Sequence, residues 1–315
     1  MMKDFFIIVL LLLLTKLASG QCCSAGNPVG GDGSNEGAAK NDLLIFTSYK
    51  HSLSEDYFHY DRKAEVPYVQ KSYYDYTNVS LTYGIFPKFS LHTDLGYFID
   101  KTQELKIDNE NEVIRSQGLG DLSFNIRLTA VKTVKPISQV VFSAGVRLPV
   151  GVFDEEKNGI TIPMSLQPSS GALKYNASLF YFRKHPGHLL GFTGFAFFEM
   201  SQTIRKGYLI YRYGNYFQFS VAGTYALAKN VSFIANAKLE LRGKDRRESE
   251  IVVESSGSRV VIFNPQLIID LKRMWGLVLM GDIPVYKYVN GYQLTNKFSF
   301  QVGIRKNISF SNSMN

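Results

Sequence analysis

Charged residues recur at every second position in several segments of the chain. Lys238, Glu240 and Arg242 are the clearest example, with apolar residues between them. In an extended strand, residues two apart project from the same face, so these three charges are predicted to share one face. The same alternation adds further residues to that face, namely Arg127, Arg147, Lys174, Glu199, Asp270, Asp282 and Arg305, together with His92, Asp94, Asp121 and Lys297.

Two kinds of chemistry suit such a charged face. Charges around a water-filled passage select and orient polar solutes. Alternatively, basic and acidic groups of nearly equal number pair with each other and fill a narrow interior as a salt-bridged plug. The near balance of this set favours the plug. In both interpretations the set is the candidate lumen lining.

The histidines do not predict catalysis or metal binding. A serine nucleophile needs a histidine that a third group orients. Of the five histidines, only His51 and His92 fall in predicted strands, and no serine nucleophile motif accompanies them. His185 and His188 flank a Pro-Gly turn, which is a poor metal site without a carboxylate. No catalytic residue, metal site or cofactor is therefore predicted, and the protein is predicted not to be an enzyme.

The first residues have the features of an export signal. An unbroken apolar run from Phe5 to Leu14 is followed by small residues at Ala18 and Gly20. This pattern predicts a secretory signal peptide over residues 1–20. Cys22 and Cys23 follow Gln21, which is not the small residue that lipidation requires. Residues 21–41 are rich in Gly, Asn and Ser and are predicted to form a flexible periplasmic leader.

The composition excludes several classes of protein. Hydrophobic residues make up 45% of the chain, more than a disordered chain contains. The mature part has no apolar run of about 20 residues, so it is not a helical membrane protein. The net charge of +8 favours contact with anionic outer-membrane lipid and lipopolysaccharide. No dense Lys/Arg run is present, so nucleic acid is not a predicted partner.

Twelve segments alternate apolar with polar or small residues, as strands with two different faces do. Short connections follow the even-numbered segments, and longer ones mostly follow the odd-numbered segments. This pattern is typical of short periplasmic turns and longer extracellular loops. The prediction is an all-β fold, a single 12-stranded antiparallel transmembrane β-barrel over residues 42–310, with a tail at 311–315. The segments are roughly 43–52, 71–84, 89–99, 120–130, 139–150, 172–183, 189–200, 215–226, 231–242, 259–271, 275–288 and 294–310.

Aromatic residues at the ends of the segments indicate which face meets lipid. Aromatic girdles mark the two membrane interfaces of a barrel. One girdle is predicted from Tyr83, Phe89, Tyr181, Tyr225 and Trp275, and the other from Tyr73, Tyr97, Tyr175, Phe217 and Phe263. The apolar face is therefore predicted to point outwards, and the charged face inwards. Pro265 and Pro284 interrupt strands, which fits either a bulge or a lateral gap in the wall.

Four short motifs resemble a known family. They are Gly-Leu-Gly-Asp-Leu at 118–122, Val-Arg-Leu-Pro-Val-Gly at 146–151, Ser-Ser-Gly at 169–171 and Ile-Pro-Val-Tyr at 283–286. Their order resembles the outer-membrane β-barrel family of the phenol-degradation (MetA-pathway) type, described as transporters of hydrophobic compounds. The Cys22-Cys23 leader resembles Bacteroidetes-type relatives. The resemblance implies a barrel and transport, and it carries no catalytic residues.

The predicted function is that of a porin-like channel or transporter in the cell outer membrane. It would allow the passive passage of small compounds, and the resemblance points to hydrophobic or aromatic ones. The alternative is a non-transport barrel whose extracellular loops bind a partner or surface. Tyr208, Tyr211, Arg212 and Tyr213 would then form the contact surface.

Overall fold

The computed structural model describes residues 36–310, except 66–68, 108–109, 158, 185–188, 208 and 249. The predicted signal peptide, most of the leader and the tail at 311–315 lie outside the described residues. The strands are β1 (Asp42–Tyr60), β2 (Arg62–Ala64), β3 (Val69–Phe86), β4 (Phe89–Ile107), β5 (Glu110–Leu119), β6 (Leu122–Val134), β7 (Ile137–Leu148), β8 (Glu156–Lys157), β9 (Ile160–Thr161), β10 (Lys174–Lys184), β11 (Leu190–Ser201), β12 (Ile204–Lys206), β13 (Leu209–Arg212), β14 (Tyr216–Ala228), β15 (Val231–Arg242), β16 (Arg246–Arg247), β17 (Ile251–Val252), β18 (Ser258–Asp270) and β19 (Trp275–Ser309). A 3-10 helix covers Lys272–Met274. Within the described residues, no helix is long and apolar enough to cross a membrane.

The long antiparallel strands close into a barrel. Strand β19 is 35 residues long and crosses the wall twice. Its first part pairs with β18, up to Ser258↔Val289, and its second part pairs with β1, down to Asp42↔Ser309. Strands β5 and β6 pair with successive parts of β4 and together form one crossing. With β1, β3, β4, β7, β10, β11, β14, β15 and β18, the described residues make the twelve predicted crossings.

The two rims of the barrel differ as predicted. At one rim, two-residue turns such as Pro87–Lys88 and Lys229–Asn230 join successive strands. At the other rim, the chain makes longer excursions between β7 and β10, β11 and β14, and β15 and β18. Two of these excursions meet in a four-stranded sheet of β12, β13, β16 and β17. This sheet stands on the extracellular rim.

Some strands are longer than the sequence indicated. The predicted segments end near residues 52 and 99, whereas β1 continues to Tyr60 and β4 to Ile107. Beyond the bilayer, an outward face has no lipid to meet and needs no apolar residues. The contrast between the two faces, which predicts a strand, is therefore lost although the ladder of hydrogen bonds continues.

The apolar face points outwards and the polar face inwards. Ile126 is 52% exposed, whereas Arg127 beside it is 5% exposed. Phe219 and Gln218 repeat this contrast, at 44% and 7%. The exposed apolar belt runs between the two girdles, where Tyr83, Trp275, Tyr97 and Phe263 are among the exposed aromatics. This inverted arrangement is that of a β-barrel in the outer membrane, because only lipid makes an apolar exterior favourable.

The lipid-facing side can be tested with one strand. Leu239 pairs with Phe219 on the outer face of β15, so Leu239→Lys places a charge in the lipid. We expect this change to lower the free energy of unfolding by about 2–4 kcal/mol, measured by urea titration in lipid vesicles. Ser232→Lys, on the inner face of the same strand, is the control and should cost much less. Equal losses would contradict the assigned facing.

Candidate functional site

Three of the predicted lumen residues form a buried ion cluster. Glu199 lies between two cations, with Arg147 Nε 3.3 Å and Lys174 Nζ 3.6 Å from its carboxylate oxygens. Strands β7, β10 and β11 are neighbours, and their register brings the three side chains to one level. Arg147 and Glu199 are each only 6% exposed along their side chains. A charge in this position depends on its partners.

A second cluster surrounds Asp282. Its carboxylate accepts hydrogen bonds from Lys238 Nζ at 2.7 Å, Lys50 Nζ at 3.1 Å and Asn264 Nδ2 at 3.0 Å. Lys50 was missed in the sequence, because its strand carries the polar Thr47 and His51 on the outer face and so lacks a clear apolar side.

The other predicted lining residues lie nearer the rims or pair along one strand. Arg242 lies 3.6 Å from Glu240, and its guanidinium stacks on the ring of Tyr216 at 4.6 Å. Arg305 pairs with Asp270 at the periplasmic rim, where the Asp270 side chain is 57% exposed. The Lys297 side chain is 50% exposed and pairs with Glu55. Asp270 and Lys297 are therefore both outside the buried part of the lining.

The end of the leader enters the periplasmic mouth. Arg127 donates a hydrogen bond to the carbonyl oxygen of Glu36 at 3.0 Å, and Gln139 donates to that of Gly37 at 3.5 Å. Ala38 is 5% exposed. Arg127 thus binds backbone of the leader, and these contacts narrow the lumen from the periplasmic side.

A second segment, between β9 and β10, turns into the extracellular mouth. Asp121 accepts hydrogen bonds from Ser169 Oγ at 2.7 Å, Ser170 N at 3.0 Å and Ser170 Oγ at 2.6 Å. Lys101 Nζ and Ser116 Oγ donate to the carbonyl oxygens of Gln167 and Leu166. Two of the four sequence motifs, at 118–122 and 169–171, therefore meet at this contact. We call residues 162–172 the inward segment.

The lumen also carries an aromatic stripe, which we define as Phe180, Phe182, Phe195, Phe197 and Tyr216. Phe180 and Phe195 are buried against Val141, and Phe182 and Phe197 pack on them. Phe197 stacks with Phe195 at 6.4 Å and meets the Tyr216 ring edge-on at 6.0 Å. The stripe was missed because β10 and β11 are aromatic on both faces, which conceals the two-residue period. Consecutive aromatic residues, such as Phe197 and Phe198, were the available signal.

A cluster of three polar side chains, Tyr49, His51 and Asp75, lies on the lipid side of the wall. His51 Nδ1 is 2.8 Å from Asp75 Oδ1, and the Tyr49 hydroxyl donates to the same oxygen at 2.5 Å. These residues alternate with inward ones on β1 and β3, so they face outwards just below the outer girdle. Tyr49 and His51 both bond to Asp75, so these polar groups have partners, as such groups usually do within a membrane.

Two of the loop tyrosines suggested as a contact surface donate hydrogen bonds to residues of other extracellular connections. The Tyr211 hydroxyl donates to Asp245, and the Tyr213 hydroxyl donates to the carbonyl oxygen of Ser170 at 3.1 Å. Burial raises the pKa of the Asp245 carboxyl to about 6, although Tyr211 and the Gly214 N–H both donate to it. Tyr208 lies outside the described residues. Across the described ranges, no group of three or more His, Cys, Asp or Glu residues is placed to hold a metal ion.

Comparisons with known proteins support the fold. No family model matches the sequence, and no curated protein matches it. An outer membrane channel from Pseudomonas putida F1 has a TM-score of 0.69 and 12% sequence identity, covering 90% of this chain and 100% of that one. The translocator domain of the autotransporter NalP from Neisseria meningitidis has a TM-score of 0.47 and 11% identity, covering 87% and 90%. A FadL homologue from Pseudomonas aeruginosa has a TM-score of 0.44 and 9% identity, covering 84% and 90%. At these identities the similarity to the Pseudomonas putida channel concerns the fold, and the two lower scores carry no argument.

Proposed function

We propose that this outer-membrane barrel is a channel for the passive passage of small hydrophobic or aromatic compounds. The aromatic stripe is the observation that carries the proposal. An apolar solute gains from contact with aromatic rings along its path, which polar walls do not provide.

The charged clusters fit the same function. Arg147, Glu199 and Asp282 each lie within 4 Å of an oppositely charged side chain. Charges that are paired with each other in a closed set offer a passing ion little. The clusters therefore act chiefly as supports of the wall, and the stripe is the surface that a solute contacts. The resemblance to the phenol-degradation type of barrel agrees with an aromatic substrate class.

The test compares two neighbouring phenylalanines. Phe197 belongs to the stripe, whereas Phe198 lies on the outer face, paired with Phe217. We expect cells that produce the protein to take up radiolabelled toluene faster than cells that lack it. Phe197→Gln replaces the aromatic ring with a smaller, polar side chain, and should reduce this uptake several-fold. Phe198→Gln, matched for folded protein, should leave uptake nearly unchanged.

Two outcomes would contradict the proposal. Wild-type protein that adds nothing to toluene uptake, while it conducts ions or takes up arabinose, would make the lumen a polar pore. No passage of any of these would leave loop binding as the better explanation.

A further inference from the structure

A pocket of about 470 Å³ lies on the outside of the wall at the extracellular rim. Its lower part is apolar and consists of the lipid-facing side chains of Met200, Phe217 and Leu241. Its upper part is basic and includes Arg212, Lys244, Arg246 and Arg259, whereas Arg242, which also borders the pocket, faces the lumen. We call this the rim pocket.

The register sets the height of the rim pocket in the membrane. Phe217 pairs with Leu241, which in turn pairs with Arg259. Met200 pairs with Tyr175, a residue of the outer girdle. Arg259 therefore projects outwards at the level where acyl chains end and head groups begin.

Three cations of the rim pocket have carboxylate partners that are themselves exposed. Arg212 and Arg246 both pair with Glu250, and Lys244 pairs with Glu254. The side chains of Glu250 and Glu254 are 59% and 78% exposed. Ion pairs as exposed as these are worth little, so an incoming phosphate can replace the carboxylates. Arginine is the side chain that binds phosphate with two parallel hydrogen bonds.

An apolar groove of about 710 Å³ continues from the rim pocket towards the membrane centre. Ala144, Ala177 and Ala196 on three adjacent strands lower the surface there, between Ile126 and Phe219. Phe217 lines both the groove and the rim pocket. The combined site is thus basic at head-group height and apolar beneath it.

We infer that the rim pocket and this groove bind a phosphorylated glycolipid of the outer leaflet, with its phosphate among the arginines and an acyl chain in the groove. Charge complementarity and the height of the site select this occupant. A soluble anion would leave the apolar groove empty, and an uncharged lipid would leave the arginines without a phosphate. The inference depends on the membrane position of the barrel and is independent of what passes through the lumen.

The test measures the binding of lipid A to the full-length protein in detergent by native mass spectrometry. Bis-phosphorylated lipid A should bind at least several-fold more tightly than its fully dephosphorylated form. Arg246→Gln combined with Arg259→Gln should remove most of this difference. The matched control is Lys132→Gln combined with Lys272→Gln, which removes two exposed cations at the periplasmic rim and should leave binding unchanged. Heat-dependent migration on gels checks that both variants are folded.

Three results would overturn the inference. These are equal binding of the two lipids by the wild type, equal loss of binding in both double variants, and inorganic phosphate competing as well as the lipid. The last would reduce the site to a surface for soluble anions.

Discussion

Glu199→Ala is expected to destabilise the barrel by about 3–5 kcal/mol, because it leaves two cations in the lumen without their shared partner. Arg147 and Lys174 approach the same carboxylate from neighbouring strands, and the Arg147 side chain is 6% exposed. Urea titration of the folded barrel in lipid vesicles gives the free energy of unfolding. The temperature at which the barrel unfolds on gels should fall as well.

Two further variants distinguish the effect of leaving a buried cation unpaired from the effect of losing the Glu199 side chain itself. Arg147→Met combined with Glu199→Leu removes the principal pair, and Lys174 retains the ring of Tyr213 at 4.9 Å. This double variant should recover most of the lost stability, because apolar residues replace a buried pair at little cost. Glu240→Ala removes the ion pair of Arg242, whose guanidinium still stacks on Tyr216, and should cost less than Glu199→Ala. If Glu199→Ala were stable and changed only ion selectivity, the cluster would be a selectivity lining.

The wall of the barrel could be predicted from the sequence because its two faces meet such different surroundings. Lipid on one side and a polar lumen on the other enforce a two-residue period, which Phe219 and Gln218 display. The short and long connections then indicate the two rims. The candidate lining residues were predicted from the same period, and Arg127, Arg147 and Glu199 among them are buried.

What fills the lumen could not be predicted from the same period. The aromatic stripe lies on strands that carry aromatic residues on both faces, so alternation does not distinguish Phe197 from Phe198. The contacts of Arg127 with Glu36 and of Asp121 with Ser169 join distant parts of the chain. Such pairing depends on which segment turns inwards, and a local pattern does not contain this information.

Asp121→Ala is expected to raise the single-channel conductance of the protein several-fold in planar bilayers. The Asp121 carboxylate accepts three hydrogen bonds from Ser169 and Ser170 of the inward segment. Hydrogen bonds to a charged group are worth about 1.5–3 kcal/mol each, so their loss should release this segment from the extracellular mouth. The leader still narrows the periplasmic side, and the conductance should therefore stay below that of an open barrel of this size.

Asp94→Ala is the matched control for this experiment. Asp94 also lies on the inner face, but it accepts hydrogen bonds from Asn78 at 2.7 Å and from Ser80, both of which belong to the wall. Its loss should change stability and leave conductance nearly as it is. The same rise in both variants would mean that any lost lumen charge alters the current. No rise in either variant would mean that Lys101 and Ser116 suffice to hold the inward segment through the carbonyl oxygens of Gln167 and Leu166.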